Sequence, residues 1–172
     1  MFTGRFYVGT TRFNNLSWRE NKRWRESNDI SGCIYNTPVR MAVHIFQDAN
    51  VFVLEMNNDE PNKIMGIGLI KNHSYRQKKY AYIHSASRYN RYTYTGNFRI
   101  DVEDMSDAQK QVVRKLEDVV FKGKGHLKRG QGIIMIPLNR LEQAKQLYTA
   151  FFNSFYGSLL GRLPIVETAR CS

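Results

Sequence analysis

Residues 51–70 read VFVLEMNNDEPNKIMGIGLI. Two apolar runs of strand length, 51–56 and 64–70, flank NNDEPNK, a turn rich in Asn, Asp and Pro, and together they predict a hairpin in the core of a sheet. Gly66 and Gly68 stand two apart and so share one side of the second strand. That side carries no side chains, so another element or a ligand must lie close against it; packing is the reading adopted.

Working outward, RFYVGTTRF at 5–13 is rich in β-branched and aromatic residues and runs into Asn14 and Asn15, which predicts a first strand and a loop. Residues 16–28 fit no apolar period. Trp18 and Trp24 lie there among four cations, six residues and so roughly 600° apart on a helix, which denies them a common face. After a short apolar piece at 32–35, Pro38 opens a stretch in which Val39, Val43 and Phe46 recur at helical spacing, predicting a helix over 38–49. Residues 97–102 (NFRIDV) read as a strand. Ser106 with Gln109 forms a capping box before the apolar stripe Val112, Val113, Leu116, Val119 and Val120, predicting a helix over 106–121. IIMIPL at 133–138 reads as a buried strand, and Leu141, Ala144, Tyr148, Phe151, Phe152 and Phe155 stripe an added C-terminal helix at about 138–160. The order lacks regular βαβ alternation. The expected fold class is therefore α+β, a curved sheet or small open barrel with flanking helices, in a single domain of 172 residues.

Lys and Arg outnumber Asp and Glu by 26 to 15, a net charge of +11, which points to a polyanionic partner rather than to any fold. No apolar run reaches the roughly 18–20 residues of a membrane span, and the first residues lack the continuous apolar stretch of a signal peptide. The expectation is an intracellular protein, cytoplasmic or nuclear, with no membrane partner. Cys33 and Cys171 are too few for a disulfide framework or a Cys-based zinc cage.

Catalytic motifs are missing from the sequence: it holds no G-x-S-x-G, H-E-x-x-H or C-x-x-C, and the glycines at 123–132 have Gln131 where a phosphate loop needs Lys. His44, His73, His84 and His126 are scattered without metal-ligand spacing, so neither a metal nor a cofactor is expected. Asp101, Glu103 and Asp104 cluster before the helix at 106–121 and read as solvated charges near its N-terminus. Cations, in contrast, are organised. Residues 71–99 hold Lys71, Arg76, Lys78, Lys79, Arg88, Arg91 and Arg99 without one Asp or Glu, interleaved with Tyr75, Tyr80, Tyr82, Tyr89, Tyr92 and Tyr94. Cations neutralise phosphates and rings stack on unpaired bases, so the combination suits single-stranded nucleic acid better than duplex grooves.

Several ordered motifs resemble a known family. Gly32-Cys33-Ile34-Tyr35-Asn36-Thr37-Pro38 followed by the 51–70 hairpin resembles the Gly-Val-Trp-Ser/Thr segment and Gly-rich core strands of YTH domains. Gly96-Asn97-Phe98-Arg99-Ile100-Asp101 is similar to that family's Gly-x-Phe-Lys-Ile-Asp strand, and Lys128-Arg129-Gly130-Gln131-Gly132-Ile133 to its Arg-Asp-Gly-Gln-Glu-Ile turn. The blocks cover roughly residues 5–136 in the family's order; the broader label is the PUA-like superfamily, which includes the EVE domains.

The resemblance implies a non-enzymatic reader of a modified base, such as N6-methyladenosine, in single-stranded nucleic acid, RNA ahead of DNA, through an aromatic cage. By motif, Tyr35 and Tyr94 take two cage positions and the second lands near Tyr82 to His84, with Tyr82 taken for it and Tyr80 or Tyr89 as other candidates for the third ring. Asn14 and Asn15, with Asn36 added, are assigned the base edge, and Lys128, with Lys78, Lys79, Arg88, Arg91 and Arg129 from the basic segments, the phosphates. Two departures stand out: Tyr35 replaces a cage Trp, and Arg129 replaces an acidic residue. The helix at 138–160 lies beyond the matching blocks and could serve a protein partner. Two other classes remain open: a nucleic-acid-processing enzyme without a recognised motif, with Asp101, Glu103 and His126 as its candidates, and a basic packaging or interaction protein without a base pocket.

Overall fold

A computed structural model describes residues 6–60, 63–75, 82–123, 126–127, 130–137, 139–140, 150 and 153–155. Its elements run β1 (Phe6–Phe13), α1 (Asn15–Ser27), β2 (Cys33–Thr37), β3 (Asn50–Asn57), β4 (Lys63–Lys71), a 3-10 turn at Ser87–Tyr89, β5 (Tyr92–Gly96), β6 (Phe98–Asp101), a 3-10 turn at Val102–Asp104, α2 (Asp107–Phe121) and β7 (Ile134–Met135). The fold is α+β. A mixed five-stranded sheet has the order β6-β4-β3-β1-β7, with β1 and β3 parallel, and β2 and β5 form a separate antiparallel ribbon. The strands do not close into a barrel.

The central hairpin forms as its sequence predicts, β3 against β4, with a bulge between Glu55 and Met56. Both faces of β3 are covered. Phe52, Leu54 and Met56 alternate into the core beneath α2, joining Val112, Val113, Leu116 and Val120, while Val51 and Val53 point the other way into the core shared with Cys33, Tyr35 and Tyr94 of the ribbon. Each such side chain contributes roughly 1.5–3 kcal/mol by leaving water, and so the hairpin anchors both layers. The glycines of β4 explain how the ribbon lies so close: a Cβ on Gly68 would overlap the Tyr35 hydroxyl and Cys33 Sγ, and one on Gly66 would press on Glu55 and Arg99. Packing, not a ligand, occupies that bare side.

α2 begins at the Ser106–Gln109 capping box, with both reciprocal bonds present. The helix expected over 38–49 does not form. Val39, Val43 and Phe46 are exposed, and the buried residues of the segment are Pro38, Met41 and Ile45. Its backbone groups are taken from outside: the Met41 N–H donates to Tyr94 Oη (2.8 Å), and Asn72 Nδ2 donates to the carbonyls of Ile45 and Phe46 (3.0 and 3.1 Å). Those bonds replace the i→i−4 ladder. The second helix is instead α1, in the segment without an apolar period. It starts at an Asn14–Ser17 capping box, and its inward residues are Asn21 and Arg25, so its buried face is polar. Of the strand expected over 133–138, the described residues pair as a ladder at Ile134–Met135, and Leu138 lies outside them. Of the expected C-terminal stripe, Phe155 is fully buried beside α2, whereas Leu141, Ala144, Tyr148, Phe151 and Phe152 lie outside the described residues.

No helix among the described residues is long and apolar enough to cross a membrane.

Candidate functional site

A cleft of about 210 Å³ opens where the end of β1, the start of α1, the ribbon and the 130–132 turn converge. Arg12 ties two of these together, its Nη2 donating to the Gly130 carbonyl (2.6 Å). Asn14 stands at the cleft as the α1 N-cap: its Oδ1 accepts from the Ser17 N–H (2.8 Å), which leaves Nδ2 as a donor. Gln131 lines the same space on the turn, between Gly130 and Gly132, both at positive φ where only glycine is unstrained.

The ribbon side is a connected polar wall. Asn36 Nδ2 donates to Asn90 Oδ1 (2.8 Å), Thr93 Oγ1 donates to Asn36 Oδ1 (2.6 Å), and Asn90 clamps the His84 backbone through both its N–H (3.1 Å) and its carbonyl (2.6 Å). Such a network holds side chains in one geometry. The His84 ring is buried, its Nδ1 3.1 Å from Glu20 Oε2 of α1, and it meets the half-buried Tyr89 ring edge-on at 6.5 Å. Arg88 lies over Tyr89, guanidinium 4.8 Å from the ring centroid, and donates to its hydroxyl (2.8 Å). The cleft thus combines a flat ring, a stacked cation and carboxamides.

The expected site residues distribute unevenly. Asn14, Asn36 and Tyr35 line the cleft. Asn15 lies beside it, its N–H held by Asp59 Oδ2 (2.6 Å). Arg88 and Arg91 are exposed, Arg91 over the Tyr92 ring at 5.8 Å. Lys78, Lys79, Lys128 and Arg129 lie outside the described residues.

The three tyrosines do not assemble into a cage. Tyr82 is 86% exposed and away from the cleft lining, while Tyr35 and Tyr94 are adjacent core residues. Their hydroxyls explain this. Tyr35 Oη donates to Glu55 Oε1 (2.7 Å) and Tyr94 Oη accepts from Met41 N, so both rings are drawn inward by buried partners.

Glu55, on the ribbon face of β3, was not legible as a special residue beyond being one charge in an apolar run. Arg99 binds it in a fork, Nε to Oε1 at 3.0 Å and Nη2 to Oε2 at 2.7 Å, and also reaches Asp101 Oδ1 (2.8 Å). Burial opposes the charge on Arg99, yet Glu55 and Asp101 raise its pKa further above its ordinary value. Burial likewise opposes ionisation of Asp101, but the Arg99 bond holds it below the usual carboxylate range. Burial lowers the pKa of Arg25, with the Arg99 charge adding to the effect. Trp18 lies beneath both guanidiniums, 5.1 Å from Arg99 and 5.9 Å from Arg25. Cys33 is pushed up to about 12 by burial and the nearby Glu55 charge, which makes it an inert core thiol. This buried cluster holds α1, β3 and β6 together beneath the cleft.

Of the acid candidates, Asp101 is committed to Arg99, and Glu103 is exposed with its carbonyl accepting from Lys110 Nζ. No group of three His, Cys, Asp or Glu that could hold a metal ion occurs among the described residues. Compared with known proteins, the chain matches no family model, no curated protein and no solved structure.

Proposed function

We propose that the domain is a non-enzymatic nucleic-acid-binding module that takes one unpaired base of a single strand, RNA ahead of DNA, into the cleft beside Tyr89. The observation that carries this reading is the cleft itself: about 210 Å³, lined by Asn14, Asn36 and Gln131, with the Tyr89 ring bearing Arg88 on one wall. A base stacked on a ring gains about 1–3 kcal/mol, and the carboxamides of Asn14 and Gln131 offer donors and acceptors to its edge. Cations on the same basic stretch supply affinity that is indifferent to sequence. Modified-base reading, which the YTH resemblance implies, rests in this arrangement on Tyr89 and His84 rather than on Tyr35, Tyr82 and Tyr94.

The test mixes the protein with methylated and unmethylated single strands at two salt concentrations. A reader discriminates the methyl group at both; a packaging protein shows the salt slope alone, and an enzyme alters the strand. Absence of binding at low salt contradicts the reading.

A further inference from the structure

Building on the cleft reading above, we infer that His84 selects the base: anchored through Nδ1 by Glu20, it offers Nε2 as a hydrogen-bond acceptor, so the cleft takes a base with an exocyclic N–H, as adenine carries. A neutral imidazole has one donor nitrogen and one acceptor, and the partner of one nitrogen fixes the role of the other. Here the partner is a carboxylate. Glu20 Oε2 lies 3.1 Å from His84 Nδ1, and Glu20 Oε1 accepts the Ser85 N–H at 3.1 Å, so the carboxylate is itself oriented from two sides. An ionised carboxylate only accepts, which puts the imidazole proton on Nδ1 and leaves a lone pair on Nε2.

Three further observations place that lone pair to act. The His84 backbone is clamped at both polar groups by Asn90, and its buried ring is tied to Glu20, so the ring has little freedom to turn away. His84 lines the cleft although its side chain is only 4% exposed, so what it shows there is a small part of the ring. Tyr89, the proposed stacking surface, meets the same imidazole edge-on, so the ring that carries the acceptor borders the space of a stacked base. The charged group that faces it is Glu20 from α1; Arg12 lines the same cleft, and Arg88 lies over the Tyr89 ring.

Protonation states agree with this assignment. Burial lowers the His84 pKa from its ordinary value despite the Glu20 bond that opposes it, so the ring is neutral near pH 7. Burial would raise Glu20, but the Ser85 bonds and His84 bring it below its ordinary value, so it is ionised there.

The experiment measures fluorescence anisotropy with short RNAs in which a single central base is flanked by abasic sugars. The central base is adenine, N6-methyladenine, N6,N6-dimethyladenine or purine; the first two carry an exocyclic N–H and the last two do not. At about pH 7.5 the wild type should bind the first pair about five- to tenfold tighter than purine, the span of one neutral hydrogen bond. His84→Phe, which keeps a planar ring and removes the acceptor, should bind all four alike. If that variant fails to fold by thermal melt, the wild type decides alone: protonation turns Nε2 into a donor, so the preference for adenine over purine should shrink as the pH is lowered far enough for the His84 imidazole resonances to show its protonation by NMR. Equal binding of the four strands at pH 7.5, or a preference unmoved once His84 is protonated, overturns the role of His84 and leaves the cleft reading standing. No binding of any strand at low salt overturns both.

Discussion

Tyr35 and Tyr94 are register partners in the β2–β5 ribbon, and both hydroxyls are engaged in the interior, one on Glu55 and the other on the Met41 amide. They are neighbours on one face, not opposed walls. Tyr35→Phe removes one of the bonds that satisfy Glu55 while leaving the ring in place. We expect a loss of about 1–3 kcal/mol in denaturant unfolding and unchanged affinity for single strands. Tyr35→Ala should lose about 3–5 kcal/mol, the range for truncating a buried aromatic residue.

Arg99→Met leaves Glu55 as a buried charge without its fork. Breaking such a pair from one side costs about 3–5 kcal/mol, whereas replacing Glu55 and Arg99 together by Gln and Met should recover part of the loss. A double-mutant cycle by chemical denaturation measures the coupling.

Stability should fall on acidification in two stages. His84 has a lowered folded pKa, so the unfolded chain binds more protons once the pH drops through about 6.5, the ordinary histidine value, and the folded state is disfavoured from there downward. Asp101 and Glu20 also have lowered folded pKa values; their contribution is complete above the ordinary carboxylate range and is lost as the pH falls through the folded values. His84→Phe should flatten the upper stage and Asp101→Asn the lower one in a series of melts against pH.

Two glycine substitutions should differ in cause and size. Gly68→Ala pushes a methyl group into the Tyr35 hydroxyl and Cys33, and the overpacking should cost about 1–3 kcal/mol or more. Gly123 lies at φ +83° with nothing within 4 Å of an added Cβ, so Gly123→Ala meets backbone strain alone, on the order of 1 kcal/mol.

The hairpin at 51–70 was legible because apolar runs buried on both faces leave an unbroken signal, and α2 because its capping box and its stripe agree. α1 was not, since Asn21 and Arg25 face inward and bond to the Ile34 carbonyl and to each other, a helical period written in polar residues. The 38–49 segment misled in the opposite sense: Val39, Val43 and Phe46 carry a helical spacing yet lie exposed, because Asn72 and Tyr94 take the segment's backbone groups. For the site, motif position brought Asn14 and Asn36 to the cleft. Tyr89 belongs to the tyrosine-rich stretch already visible in the sequence and His84 borders the second cage position, but the pairing of His84 with Glu20, 64 residues away, has no local pattern to encode it.

Charge and stacking at the cleft should separate cleanly. Arg88→Ala with Arg91→Ala should weaken every strand about equally and reduce the salt slope by roughly one for each phosphate no longer neutralised. Tyr89→Ala should cost about 1–3 kcal/mol of binding at any salt concentration and leave the slope unchanged.

The most direct measurement of the central claim is a ¹H–¹⁵N NMR titration of the labelled protein with a short RNA carrying one central adenine between abasic sugars. Binding of a base in the cleft predicts that the largest shifts cluster at the side-chain amides of Asn14, Asn36 and Gln131 and at the backbone amides of His84, Tyr89 and Gly132, and that Tyr89→Ala suppresses them. Shifts confined to surface cations away from these residues, or a spectrum unchanged at saturating RNA, would contradict it.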